Sequence, residues 1–111
     1  MADSLPVMKG TLDTLVLKAV SWGPLHGFAI TEWIEERSGG ALEVDDSALY
    51  QALHRIEDRG YIVGEWGVSQ SNRRARYYQI TASGRQQLRT ESARLLRYST
   101  ALSGLLTAAR A

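Results

Sequence analysis

The chain has 111 residues, 44% of them hydrophobic, and a formal net charge of +1. That is one domain's worth of chain with a modest core, and so small a net charge argues neither for nor against a nucleic-acid partner. Cysteine is absent, which excludes disulfides, thiolate zinc sites and cysteine nucleophiles together.

The start, MADSLPVMKG, has no basic stretch followed by an apolar one, so it does not read as a signal peptide. No apolar run approaches the length of a membrane span, and the cytoplasm is the expected location. Residues 1–8 show no periodic pattern and read as a flexible N-terminal arm. From Thr11 onward Leu12, Leu15, Val16, Ala19 and Val20 recur at helical spacing, which predicts a first helix. WGPLHG breaks it at Trp22–Gly27. A second helix follows, with Phe28, Ile30, Trp33 and Ile34 apolar and Glu32, Glu35 and Glu36 outside, stopped by Ser38-Gly39-Gly40.

ALEV reads as a very short strand, after which Asp45 or Asp46 caps a third helix. Its buried stripe is Leu49, Ala52, Leu53 and Ile56; its other face carries Ser47, Tyr50, Gln51, His54 and Arg55, and Gly60 ends it. YIVGEWGVS and RRARYYQIT are β-favouring runs joined by the polar turn SQSN, which makes a hairpin with a basic tip. Tyr77 and Tyr78 alternate faces there, so one belongs to the core and one is half exposed. Thr81 caps a last helix running to about Ala108, in which Leu88, Leu95, Leu102 and Ala109 repeat at sevens with Tyr98 and Leu105 between them. Glu91 interrupts this seam. A helix of about 25 residues spans nearly 40 Å, more than a domain this size covers, so a second copy is expected to bury the remainder.

Charge is polarised along the chain. Acid dominates the middle (Glu32, Glu35, Glu36, Glu43, Asp45, Asp46, Glu57, Asp58), whereas Arg73, Arg74, Arg76, Arg85, Arg89, Arg94 and Arg97 follow with Glu91 the one acid among them. Three helices, a hairpin and a final helix is the order of a winged helix-turn-helix domain, whose third helix enters the DNA major groove while the hairpin tip, the wing, reaches backbone or an adjacent groove. The fold class is therefore mainly α with a small β-hairpin: a winged helix-turn-helix domain over 9–81 and a dimerisation helix over 82–111. Gln51 and Arg55 have the donors to read adenine and guanine, with Ser47 less selective and His54 beside them. Tyr50 suits a phosphate, as do the planar forks of Arg73, Arg74 and Arg76, and Lys9 lies near the start of the first helix.

SALYQALHRIEDRGYI, RRARYYQIT, TASGRQQL and KGTLDTLVLKAVSWGPLHGFAI resemble the PadR family of bacterial transcriptional regulators over roughly Lys9 to Leu88. The resemblance implies a homodimeric repressor of its own or neighbouring genes, bound to a pseudo-palindromic operator and released by a small aromatic or hydrophobic effector. It places Ser47 and Tyr50 near the DNA backbone, makes Arg73, Arg74 and Arg76 the basic wing, and matches the short subgroup that dimerises through one C-terminal helix. Leu88, Leu95, Tyr98, Leu102 and Leu105 are the expected dimer contacts, and Leu95, Tyr98 and Trp66 the candidate effector pocket. Leu95 departs from several relatives, which carry there a Trp lining an apolar cavity between subunits.

The rival expectation is a winged-helix scaffold that holds an acidic protein without reading DNA sequence. No carboxylate pair, nucleophile-base set, phosphate-cradling loop or metal set supports an enzyme, and no cofactor is expected. His26 reads as a helix-start residue with local hydrogen bonds, Trp22 and Trp33 as core or interface residues, and Glu57 as the partner of a nearby Arg.

Overall fold

Short polar side chains start three of the four helices of the computed structural model, which describes residues 3–110. His26 Nδ1 accepts the Ala29 N–H at 3.2 Å and opens α2 (Gly27–Arg37), as a local role for that imidazole requires. Asp45 accepts the Ala48 N–H at 3.0 Å and opens α3 (Asp46–Asp58); of the two candidate caps it is the one with extended backbone. Thr81 accepts the Gly84 N–H at 3.0 Å and opens α4 (Ala82–Leu106). The first helix, α1 (Leu12–Ala19), has no side-chain cap and runs into a single 3-10 turn at Val20–Trp22.

Val16, Leu17, Ile30, Ile34 and the stripe Leu49, Ala52, Leu53 and Ile56 form the buried core, closed by Ile62, Tyr78, Ile80 and Leu88. The expected α3 stripe is thus the observed one. Apolar positions on the three helices converge because none has another way to leave water.

After three two-residue strands, β1 (Leu5–Pro6), β2 (Leu25–His26) and β3 (Leu42–Glu43), come β4 (Ile62–Val68) and β5 (Arg74–Ile80), which pair antiparallel with Ile62 opposite Ile80 and Val68 opposite Arg74. The turn between them places Asn72 at φ 60°, a left-handed conformation that Asn tolerates well, and Ser69 closes it through its N–H to the Arg73 carbonyl at 2.8 Å. Two residues the sequence pattern placed in a loop, Leu25 and His26, add a third strand by pairing with Tyr78 and Tyr77. Tyr78 is buried and Tyr77 half-buried, as their alternation requires.

The N-terminal segment differs from the loose arm expected over residues 1–8. Leu5–Pro6 pairs in parallel with Leu42–Glu43, the short strand read from ALEV, and Ser4 Oγ donates to Glu43 Oε2 at 2.9 Å. Free backbone groups on Leu42–Glu43 offer it a template. Met1 and Ala2 of that arm lie outside the described residues, as does Ala111.

Between α3 and α4 the chain is tied down tightly. Thr81 Oγ1 donates to the Gly60 carbonyl at 2.6 Å while accepting from Gly84, and Ser83 Oγ donates to the same carbonyl at 3.0 Å. Thr81→Ala removes the cap and leaves Gly60 one donor short. We expect it to cost about 1–2 kcal/mol of stability, seen as a lower midpoint in urea unfolding with an unchanged slope.

Candidate nucleic-acid interface

α3 presents Ser47, Tyr50, Gln51, His54 and Arg55 to solvent, because the stripe on its opposite side is committed to the core. The rings of Tyr50 and His54 meet edge-on with centroids 4.5 Å apart, a pairing one turn apart along the helix. Arg55 is exposed, yet its fork is filled: Nη2 donates to Asp13 Oδ1 at 2.6 Å and Nε to Asp13 Oδ2 at 3.2 Å. That bond to α1 holds the Arg55 guanidinium charged above its ordinary range. The expected guanine-reading fork therefore spans two helices in the free protein and must leave Asp13 before it engages a base.

The hairpin face toward α3 carries Arg74, Trp66, Arg76 and Tyr78 in succession, since alternate residues of paired strands share a face. Arg74 lies over the Trp66 ring at 4.6 Å, and Arg76 over the Tyr78 ring at 5.9 Å. Arg76 Nη2 donates to Glu57 Oε2 at 2.6 Å, the Arg partner expected for that carboxylate. The pairing keeps the Arg76 guanidinium charged above its ordinary range, and burial pushes the Tyr78 phenol up. Arg73 and Arg74 are exposed and have no carboxylate partner among the described residues. Lys9 is exposed in the turn before α1.

An open groove separates α3 from the hairpin, in two adjoining parts of about 420 and 380 Å³ that share Tyr50, Leu53, Arg76 and Tyr78. Phe28, expected among the apolar residues of α2, is 73% exposed at its rim, because the first turn of α2 overhangs the groove instead of the core. Trp66 lines the second part with His54 and Glu57. Neither Leu95 nor Tyr98 lines either part, so within one chain the three candidate effector-pocket residues are not brought together.

The long helix divides in two. Leu88 is buried in its own domain's core, a correction to its place in a partner-facing seam: a heptad repeat marks a covered stripe without saying which chain covers it, and α1 covers these first turns. Leu95 is half-buried. Beyond it Leu96, Tyr98, Leu102, Leu105 and Leu106 are all exposed. Glu91, which interrupts the seam, pairs with Arg94 at 2.7 Å and has its carboxyl held below the ordinary range by that hydrogen bond.

Sequence reasoning missed Asp13 as the partner of Arg55. Gly64 was also missed, although it lies diagonally across from Arg76; the strand register exposes it once the turn length is known.

A braced helix with an exposed polar face, followed by an arginine-tipped hairpin, defines a winged helix-turn-helix domain. Residues 16–90 match the transcriptional regulator PadR-like family, and the chain belongs to that family. Its fold is similar to smu.1704 from Streptococcus mutans, with a TM-score of 0.80, 26% identity, and coverage of 96% of this chain and 97% of that one. A PadR family transcription regulator from Clostridium difficile superposes with a TM-score of 0.74 at 22% identity, covering 87% of this chain and 99% of that one. Bacillus subtilis PadR, solved in complex with operator DNA, gives a TM-score of 0.64 at 26% identity over 72% of this chain and 45% of that one. Among the described residues no helix is long and apolar enough to cross a membrane.

Proposed function

We propose that the protein is a homodimeric, cytoplasmic DNA-binding repressor, with α3 in the major groove and the hairpin on the phosphate backbone. The observation that carries this is the pair of guanidiniums, Arg73 and Arg74, with no carboxylate partner among the described residues, at the end of a hairpin standing beside an exposed helix face of Ser47, Tyr50, Gln51 and His54. Short hydrogen-bonding side chains read base edges, and forked cations hold phosphates. The relative from Bacillus subtilis seen on operator DNA supports the same use of the fold.

Dimerisation is supported by the bare half of α4. Leu102 and Leu105 face water in a single chain, and a second copy of the same helix is the partner whose seam fits by symmetry. Two-fold symmetry then spaces the two α3 helices about 34–36 Å or a multiple apart along the DNA. Release follows from any effector that binds better to the dimer whose two wings no longer match that spacing; the face around Leu95 and Tyr98 is the proposed place for it, Trp66 lying on the DNA side.

The test compares duplex DNA from upstream of the protein's own gene with random duplex of equal length, by fluorescence anisotropy across a salt series. We expect the upstream DNA to bind on the order of a thousandfold tighter, both affinities falling steeply with salt. Equal affinity for the two would leave the scaffold reading in its place. Sedimentation of a monomer at micromolar concentration would overturn the dimer.

A further inference from the structure

We infer that Glu57, Arg76 and Gly64 form a clamp that sets the wing's position against α3, and that this clamp governs sequence discrimination; the inference rests on the DNA-binding reading above. Arg76 thereby becomes a positioning residue instead of the phosphate contact that its place in a basic cluster implies.

The base of the hairpin is anchored in the core by Ile62, Tyr78 and Ile80, but its outer half has little else to hold it. β5 is paired on its outer edge at Tyr77 and Tyr78 alone, so towards the turn the two strands have only each other. Among the described residues, the bond from Arg76 to Glu57 is the one side-chain hydrogen bond that joins the hairpin to another element. Both side chains are partly exposed, at 35% and 28%, so solvent screens part of their attraction and the pair counts for the position it fixes more than for its energy.

Gly64 makes the contact possible. It stands opposite Tyr78, one step along from the Trp66–Arg76 pair, on the face Arg76 crosses. A Cβ built there overlaps the guanidinium, with Nη2 at 2.7 Å and Cζ at 2.8 Å. A side chain at residue 64 would push the guanidinium off the path along which it crosses β4 to Glu57. Tyr78 beneath it, buried and fixed in the core, stops the guanidinium from sinking.

The consequence is mechanical. From Arg76 to the turn at Asn72 is four residues, about 13 Å of strand, so a swing of about 15° at the clamp moves the tip by roughly 3 Å. Arg73 and Arg74, three and two residues from the clamp, are carried about 2 Å with it, enough to break a hydrogen bond to a phosphate. The clamp also neutralises Glu57, whose carboxylate otherwise faces the groove beside Tyr50 and His54. With the wing held, phosphate contacts and α3 contacts are satisfied in one register. With it loose, phosphates are gripped in many registers and sequence counts for less.

The experiment selects binding sites from a random duplex library with the wild-type protein. It then measures the affinity ratio between the recovered sequence and a scrambled one, and the salt slope, for wild type, Glu57→Gln, Gly64→Ala, Arg76→Gln and the exchange of Glu57→Arg with Arg76→Glu. Glu57→Gln keeps the shape of the side chain and removes only its charge, and thermal melting monitors folding of every variant. We expect Glu57→Gln and Gly64→Ala each to lower the ratio about tenfold, or 1.4 kcal/mol, at an unchanged salt slope, and the exchange to recover most of it.

If wild type recovers a common sequence and both single variants keep its full ratio, the clamp has no part in discrimination. Should Arg76→Gln lower the salt slope by about 0.9 per protomer, Arg76 is a phosphate ligand and its positioning role falls. A wild type that recovers no common sequence overturns the DNA-binding reading itself, and the clamp's role with it.

Discussion

Replacing Arg73 and Arg74 together with alanine is expected to weaken binding to specific and random DNA alike, on the order of a hundredfold or more near 0.1 M salt. Each guanidinium that neutralises a phosphate releases a condensed counterion, and the slope of log affinity against log salt changes by about 0.9 per contact. Two such contacts per protomer in a dimer make about 3.6. Both side chains are exposed, so folding is little affected. Arg74 does give up its place over Trp66, a loss of about 0.5–1 kcal/mol at an exposed site. The check is a salt titration of both DNAs for wild type and the double variant. An unchanged slope would remove these residues from the interface. A ratio between the two DNAs that stays constant while both affinities fall is the signature of backbone contact, in contrast to the clamp variants, which change the ratio and spare the slope.

The largest loss of stability is expected from Gly84→Ala. In a helix interior alanine is the better residue by about 1 kcal/mol, and at Gly104 of the same helix, where a Cβ meets nothing within 4 Å, that advantage should appear. At Gly84 the added Cβ collides with the Tyr61 carbonyl and comes within 2.9 Å of Ile80 Cγ1. Tyr61 cannot retreat. Its carbonyl accepts the Thr81 N–H at 3.0 Å and its N–H donates to the Ile56 carbonyl at 2.9 Å, so moving it disturbs the end of α3 and the start of α4 together. We expect about 3 kcal/mol or slightly more, the upper range for overpacking, and a melting temperature lower by roughly 10–20 °C for a domain of this size. Thermal melting followed by circular dichroism measures it, with Gly104→Ala as the control. Equal melting of wild type and Gly84→Ala would mean that α4 does not approach Tyr61 so closely.

The free protein holds two of its candidate DNA-facing arginines on carboxylates, Arg55 on Asp13 and Arg76 on Glu57. Both bridges run between elements, so each orders the surface as well as neutralising it. For Arg55 the bridge is with α1, and base readout by Arg55 requires exchanging one anionic partner for a neutral acceptor. Gln51, exposed one turn earlier with no such partner among the described residues, would pay no comparable cost in the adenine contact proposed for it. The division of labour we propose is Gln51 for base contact, Arg73 and Arg74 for phosphate, and Arg76 for geometry.

Local chemistry was legible in the sequence wherever a few neighbouring residues decide the outcome. The α3 stripe of Leu49, Ala52, Leu53 and Ile56, a cap at Asp45 or Asp46 and another at Thr81, the hairpin around SQSN, and the opposite faces of Tyr77 and Tyr78 all follow from periodicity or short-range hydrogen bonding. So did the exposed face of α3, which is whatever the buried stripe leaves over. Tertiary structure alone decided the partners. Arg55 finds Asp13 across 42 positions and Arg76 finds Glu57 across 19; Leu25 and His26 become a strand only because β5 has a free edge. Leu88 lies in its own core and Leu102 in water, though one repeat contains both. Periodicity states that a side chain leaves water or stays in it; only the path of the chain through space states against what.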